Sequence, residues 1–128
     1  MLEIDSREWG FIKTRIDSED CFLATLDGST TQSKASLLEA MAQLFELPDN
    51  TGWDSLIDWM CDLSWLQMPR YCLAVDNYSE LLKDDSKTKE QFIDILKNII
   101  LPYWEDDVEK IMSGGTPRSF VVFLINES

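Results

Sequence analysis

Three short runs leave almost no room for a polar face. Cys21–Leu26, Tyr71–Val75 and Phe120–Ile125 are apolar at nearly every position. A strand with one wet face alternates apolar and polar residues, whereas a near-continuous apolar run fits a strand covered on both sides. Turn-forming residues bound them: Asp27-Gly28 stops the first and Asp76-Asn77 the second, while Ser113 to Pro117 precedes the third. Helical patterns lie between them. Leu37, Leu38, Met41 and Leu44 recur at helical spacing in Lys34–Phe45, which Pro48 should terminate. Phe92, Ile95, Leu96 and Ile99 do the same in Gln91–Ile100. Strands separated by helices predict an α/β fold with a small three-stranded parallel sheet packed with helices.

The remaining pieces are shorter. Ser29, Thr30, Thr31 and Ser33 offer caps for the first helix, and Ser86 or Thr88 for the one through Phe92. Ser79–Leu82 is expected to be one helical turn. Pro102 should end or kink its helix, with Tyr103–Met112 continuing as a second piece. Residues 1–20 mix charges with Trp9, Phe11 and Ile12. They are expected to form an N-terminal extension, a short edge strand or hairpin, ahead of a domain spanning residues 21–128.

The stretch Leu47–Trp65 carries the charge pattern that asks for a function. Asp54, Asp58 and Asp62 stand four residues apart, which at helical pitch stacks three carboxylates on one face. Trp53, Leu56, Ile57 and Met60 fall on the buried side of the same helix, expected from about Trp53 to Leu63. Like charges at this spacing destabilise a helix by about 0.2–0.5 kcal/mol per pair, and no Lys or Arg occurs in the stretch to relieve them. Asp54 lies in the first turn, where a negative charge favours the helix dipole. Asp58 and Asp62 lack that excuse. A solvated face and a partner-binding face are the two readings of the row.

Composition narrows the partner. With 24 Asp and Glu against 11 Lys and Arg, the formal net charge is −13. That field repels nucleic acid and anionic membrane and draws in basic proteins. Histidine is absent and the three cysteines show no CxxC spacing, so neither a zinc site nor any cofactor is expected. The odd cysteine count and apolar settings of Cys21, Cys61 and Cys72 fit small core residues in a reducing compartment. Met1–Lys13 lacks the charged-then-apolar pattern of a signal sequence and no apolar run is of membrane length, so neither a leader nor a membrane span is expected. A cytoplasmic protein, monomeric rather than oligomeric, is the expectation. Catalysis by the acidic row is not expected: a glycosidase pair needs one acid with a raised pKa in a cleft. Nor can a straight helix wrap carboxylates around calcium as an EF-hand loop does.

In the order of its elements, the chain resembles the barstar family, intracellular inhibitors of ribonucleases such as barnase. The residues carrying the likeness are Leu26-Asp27-Gly28 after the first strand, Leu47-Pro48-Asp49 after the first helix, and Asn50-Thr51-Gly52 leading into Trp53-Asp54-Ser55-Leu56-Ile57-Asp58. Asp62-Leu63-Ser64-Trp65 continues the pattern. The likeness runs from about Phe22 to the C-terminus. It implies that the acidic helix and its preceding loop plug the active site of a basic nuclease. Asp54 and Asp58 would take the place of substrate phosphates. The partner-binding set is then Asn50, Thr51, Gly52, Trp53, Asp54, Ile57, Asp58 and Asp62, with Asp94 and Asn98 as a secondary contact from a later helix. Two departures stand out. Asn50 and Thr51 replace the family's aromatic before the glycine, and Gly52 meets Trp53 without intervening residues. A barstar-like module turned to a basic partner other than a nuclease is the alternative function.

Overall fold

The computed structural model describes residues 1–16, 20–105 and 118–127. Four parallel strands form one sheet in the order β1-β4-β3-β2: β1 (Leu2–Asp5), β2 (Cys21–Asp27), β3 (Arg70–Asp76) and β4 (Ser119–Asn126). The expected three strands are β2, β3 and β4. The fourth comes from the N-terminal segment, where Leu2 pairs with Phe123 and Asp5 with Asn126. Of the two expected forms, its described residues take that of an edge strand. After β1 the chain turns directly into α1 (Ser6–Thr14), whose first turn is capped by Asp5 accepting from the Glu8 amide at 2.8 Å.

Successive strand residues point to opposite faces, and the two faces bury different elements. On one face, Tyr71, Leu73 and Val75 of β3 join Val122 and Leu124 of β4. They pack against α2 (Lys34–Phe45), α3 (Trp53–Met60) and α4 (Ser86–Ile95). The opposite face holds Cys72, Ala74, Phe123 and Ile125, covered by Trp9 and Ile12 of α1. Trp9 packs at a tilt against Phe123, with ring centroids 5.4 Å apart and 44° between planes. Coverage on both sides is why the two central strands carry almost no polar residue.

The helix boundaries follow local chemistry. Ser33 and Ser36 make a reciprocal cap at the start of α2. The helix ends at Phe45 because Glu46 turns left-handed (φ 54°) and the Leu47 amide folds back to the Ala42 carbonyl at 2.8 Å. Asp85, rather than Ser86 or Thr88, caps α4, accepting from the Thr88 amide at 3.2 Å and the Thr88 hydroxyl at 2.7 Å. The expected turn near Ser79 is a 3₁₀ turn over Tyr78–Glu80. Pro102 neither ends nor breaks its helix. A wide π turn over Leu96–Ile100 comes just before it, and the chain remains helical over residues 101–105. That widening relaxes the place where the proline ring would meet the carbonyl four residues back. Past Glu105, the expected helix through Met112 and the breaker at Ser113–Pro117 lie outside the described residues.

The carboxyl ends of β2 and β3 are locked together beside the start of α2. Asp27 accepts from the Ser29 amide at 3.0 Å, the Ser29 hydroxyl at 2.7 Å and the Asn77 side-chain amide at 3.1 Å. The Ser29 hydroxyl, then Asn77, hold its carboxyl below the usual range. Gly28 is buried in this corner, and a Cβ there would overlap the carbonyl oxygen of Asn77 and press on that of Asp76. The glycine is needed for that close approach of backbones.

Candidate acidic interface

α3 presents the acidic pair. Leu56 and Met60 are buried in the main core, and Trp53 and Ile57 lie half-buried beside them. The opposite side carries Asp54 and Asp58, both exposed. Neither forms a hydrogen bond or ion pair with any described residue. The one ion pair among the described residues, Lys83–Glu80, lies elsewhere. The helix thus offers two carboxylates one turn apart, neither in an ion pair among the described residues.

The third carboxylate is not on the helix. α3 stops at Met60, and Asp62 lies in the turn after it, exposed, accepting from the Ser64 amide at 3.3 Å. The early stop has a tertiary cause. Leu63 adopts a left-handed backbone (φ 51°) and is buried, drawing the chain inward. The Met60 carbonyl accepts from the Trp104 indole at 3.0 Å, and the Leu63 carbonyl from the Tyr71 hydroxyl at 3.3 Å. These bonds satisfy carbonyls that a longer helix would have used internally. Arg118 braces the same turn, donating to the Asp62 carbonyl at 3.2 Å while its guanidinium lies 4.7 Å above the Trp104 ring.

Ahead of α3, the loop is tied by Asp49. Its carboxylate accepts from the Thr51 amide at 3.3 Å, the Thr51 hydroxyl at 3.2 Å and the Trp59 indole at 3.3 Å. The Thr51 amide, then the Trp59 indole, hold the Asp49 carboxyl below the usual range. Asn50 and Thr51 are exposed and Gly52 is partly covered. Gly52 begins α3 without a side-chain cap, in extended backbone (φ 173°), and a Cβ there would meet nothing within 4 Å. Gly52→Ala is therefore expected to fit without a clash and to cost on the order of 1 kcal/mol, from the poorer N-cap that alanine makes, measured by denaturant unfolding. A binding loss in that variant would then report a partner that approaches the backbone closely.

The remaining candidates separate. Trp53 is largely a packing residue: its ring stacks on Phe92 (centroids 6.5 Å, 19° between planes), and Lys34 Nζ lies 5.0 Å from its centre. Its indole nitrogen is buried with no hydrogen-bond partner among the described residues. Ile57, Asp58, Cys61 and Asp62 line an open groove of about 620 Å³ together with Ile99, Tyr103 and Arg118. Asp94 and Asn98 bond to each other at 2.6 Å and line a different groove, beside Tyr78 and Lys89. The later helical segment thus brings Ile99 and Tyr103, not Asp94 and Asn98, into the groove that holds Asp58.

The bracing residues Asp49, Tyr71, Trp104 and Arg118 were not singled out from sequence. Only Asp49 carried a local signal, an Asp two residues before Thr51 in a turn. The three cysteines are unpaired. Burial pushes the Cys72 thiol up to about 12 and, with Asp58 nearby, the Cys61 thiol up to about 11, so neither is a ready nucleophile. Among the described residues no cluster of potential ligands could hold a metal, and no helix is long and apolar enough to cross a membrane.

The family model for barstar, the barnase inhibitor, matches residues 21–124. No curated protein and no solved structure matches the chain. The matched span takes in β2, β3, most of β4, the loop ahead of α3 and the exposed carboxylate pair, and the chain belongs to the barstar family.

Proposed function

We propose that this chain is an intracellular immunity protein. It would bind a basic ribonuclease-type toxin and block its active site with α3 and the loop Asn50–Gly52. The observation that carries the reading is the carboxylate pair Asp54 and Asp58 on the exposed side of a helix whose other side is fixed in the core. A ribonuclease site binds phosphate with cationic side chains, and two rigidly held carboxylates offer those cations the same partners. The net charge of −13 accelerates the encounter. Membership of a family of ribonuclease inhibitors supplies the class of target.

The test is inhibition of RNA hydrolysis by barnase and by other basic ribonuclease toxins, alongside rescue of cells expressing each toxin. Stoichiometric inhibition by at least one is expected, with association slowing as salt rises. Rescue by none of them, together with capture of a basic protein that is not a nuclease, would replace this reading with that of a general acidic interaction module.

A further inference from the structure

The Asp49 carboxylate reaches in two directions. One oxygen takes the amide and hydroxyl of Thr51, and the other takes the indole of Trp59, ten residues ahead on α3. The Thr51 hydroxyl lies 2.8 Å from that of Ser55. A hydroxyl has one proton, so donation by Thr51 to Asp49 leaves Ser55 as donor to Thr51, and the relay runs from α3 through the loop to Asp49. Trp59 in turn meets Trp65 edge-on at 5.8 Å, and the Trp65 indole donates to the Phe45 carbonyl at 2.9 Å. One carboxylate thus connects the loop both to α3 and, through two tryptophans, to the end of α2.

The loop needs such a tie. Asn50 and Thr51 are exposed, so no apolar side chain of theirs anchors them. α3 has eight residues and no side-chain cap, and a helix this short has little stability of its own. We infer that Asp49 is a positioning residue, holding Asn50–Gly52 and the first turn of α3 in the conformation that meets the partner. Binding then requires little further ordering of the loop. The inference rests on α3 and its loop being the binding element.

Asp49→Ala and Trp59→Phe test it in two ways. In the free protein, hydrogen exchange at the amides of Thr51 and Leu56, bonded to Asp49 and to the Gly52 carbonyl, should quicken about three- to tenfold in Asp49→Ala, and less in Trp59→Phe, which cuts one tie only. The amides of β3 and β4 should be unchanged. Against barnase, or another ribonuclease that wild-type protein inhibits, the association rate should fall by a similar factor with little change in dissociation. Unchanged exchange in the loop would overturn the inference, as would faster exchange spread evenly over the sheet. Faster loop exchange with an unaltered association rate would overturn the positioning role. The exchange measurement needs no partner. Failure of every ribonuclease to bind wild-type protein would therefore strike the functional reading, while the clamp is judged on exchange.

Discussion

Asp58→Ala is expected to weaken the complex with the target ribonuclease by about 30-fold to several thousand-fold, corresponding to about 2–5 kcal/mol. The size follows from what is left behind. Asp58 lies at the middle of α3, next to the half-buried Ile57 and the groove shared with Ile99 and Tyr103, so a docked partner would remove it from water. Deleting it strands the partner's cations without a counter-charge in a desolvated interface. The loss should fall mainly on the dissociation rate, read by surface plasmon resonance or stopped flow. Asp54→Ala should cost less, because Asp54 lies in the first turn and does not line the groove that holds Asp58. Asp58→Ala should not lose stability, and Asp54→Ala should change it by less than about 1 kcal/mol. Removing one member of an i, i+4 like-charge pair returns about 0.2–0.5 kcal/mol to the helix, less whatever Asp54 gives the dipole. A folded Asp54→Ala/Asp58→Ala double variant that still inhibits with wild-type rates would sink the assignment of the binding face.

What the sequence showed of this site and fold depended on how local each cause is. The central strands were legible because burial on both faces leaves a direct mark on composition, seen in Tyr71–Val75 and Phe120–Ile125. The acidic pair was legible because four-residue spacing is a property of one helix. β1 was legible only as an unplaced edge strand or hairpin, and its membership of the parallel sheet was not, since Leu2-Glu3-Ile4-Asp5 is short, exposes Leu2 and Glu3, and pairs with a strand at the far end of the chain. The end of α3 was read three residues too late for the same kind of reason. What stops the helix near Met60 includes an indole 44 residues away and a hydroxyl eight residues beyond Leu63. No periodicity within Leu47–Trp65 records those groups, so Asp62 was placed on a helix it does not join. The family likeness supplied the target class, but the ties that hold Asp49 and the turn after α3 emerge only when distant side chains are seen together.

Trp104→Ala should be among the most damaging single substitutions in the protein, costing about 3–5 kcal/mol of folding stability. Trp104 is 1 % exposed. Its ring packs against Tyr71 at 5.3 Å and Phe120 at 5.9 Å, so truncation opens a cavity between the sheet and the helical segment after the π turn. It also removes the indole that satisfies the Met60 carbonyl and the surface on which the Arg118 guanidinium lies. Trp104→Phe separates these contributions. It keeps most of the ring while leaving the Met60 carbonyl without its donor, and should cost on the order of 1–3 kcal/mol. Urea unfolding of both variants measures the difference, with the smaller loss in Trp104→Phe. The functional consequence should appear even where the protein remains folded. The turn at Met60–Leu63 fixes the carboxyl end of α3, so loosening it lets the helix carrying Asp58 shift on the core. A Trp104→Phe protein that unfolds at a somewhat lower urea concentration and also releases the ribonuclease faster would connect the core under α3 to the carboxylates above it. Unchanged release would mean that Tyr71 and Arg118 hold the turn without the indole.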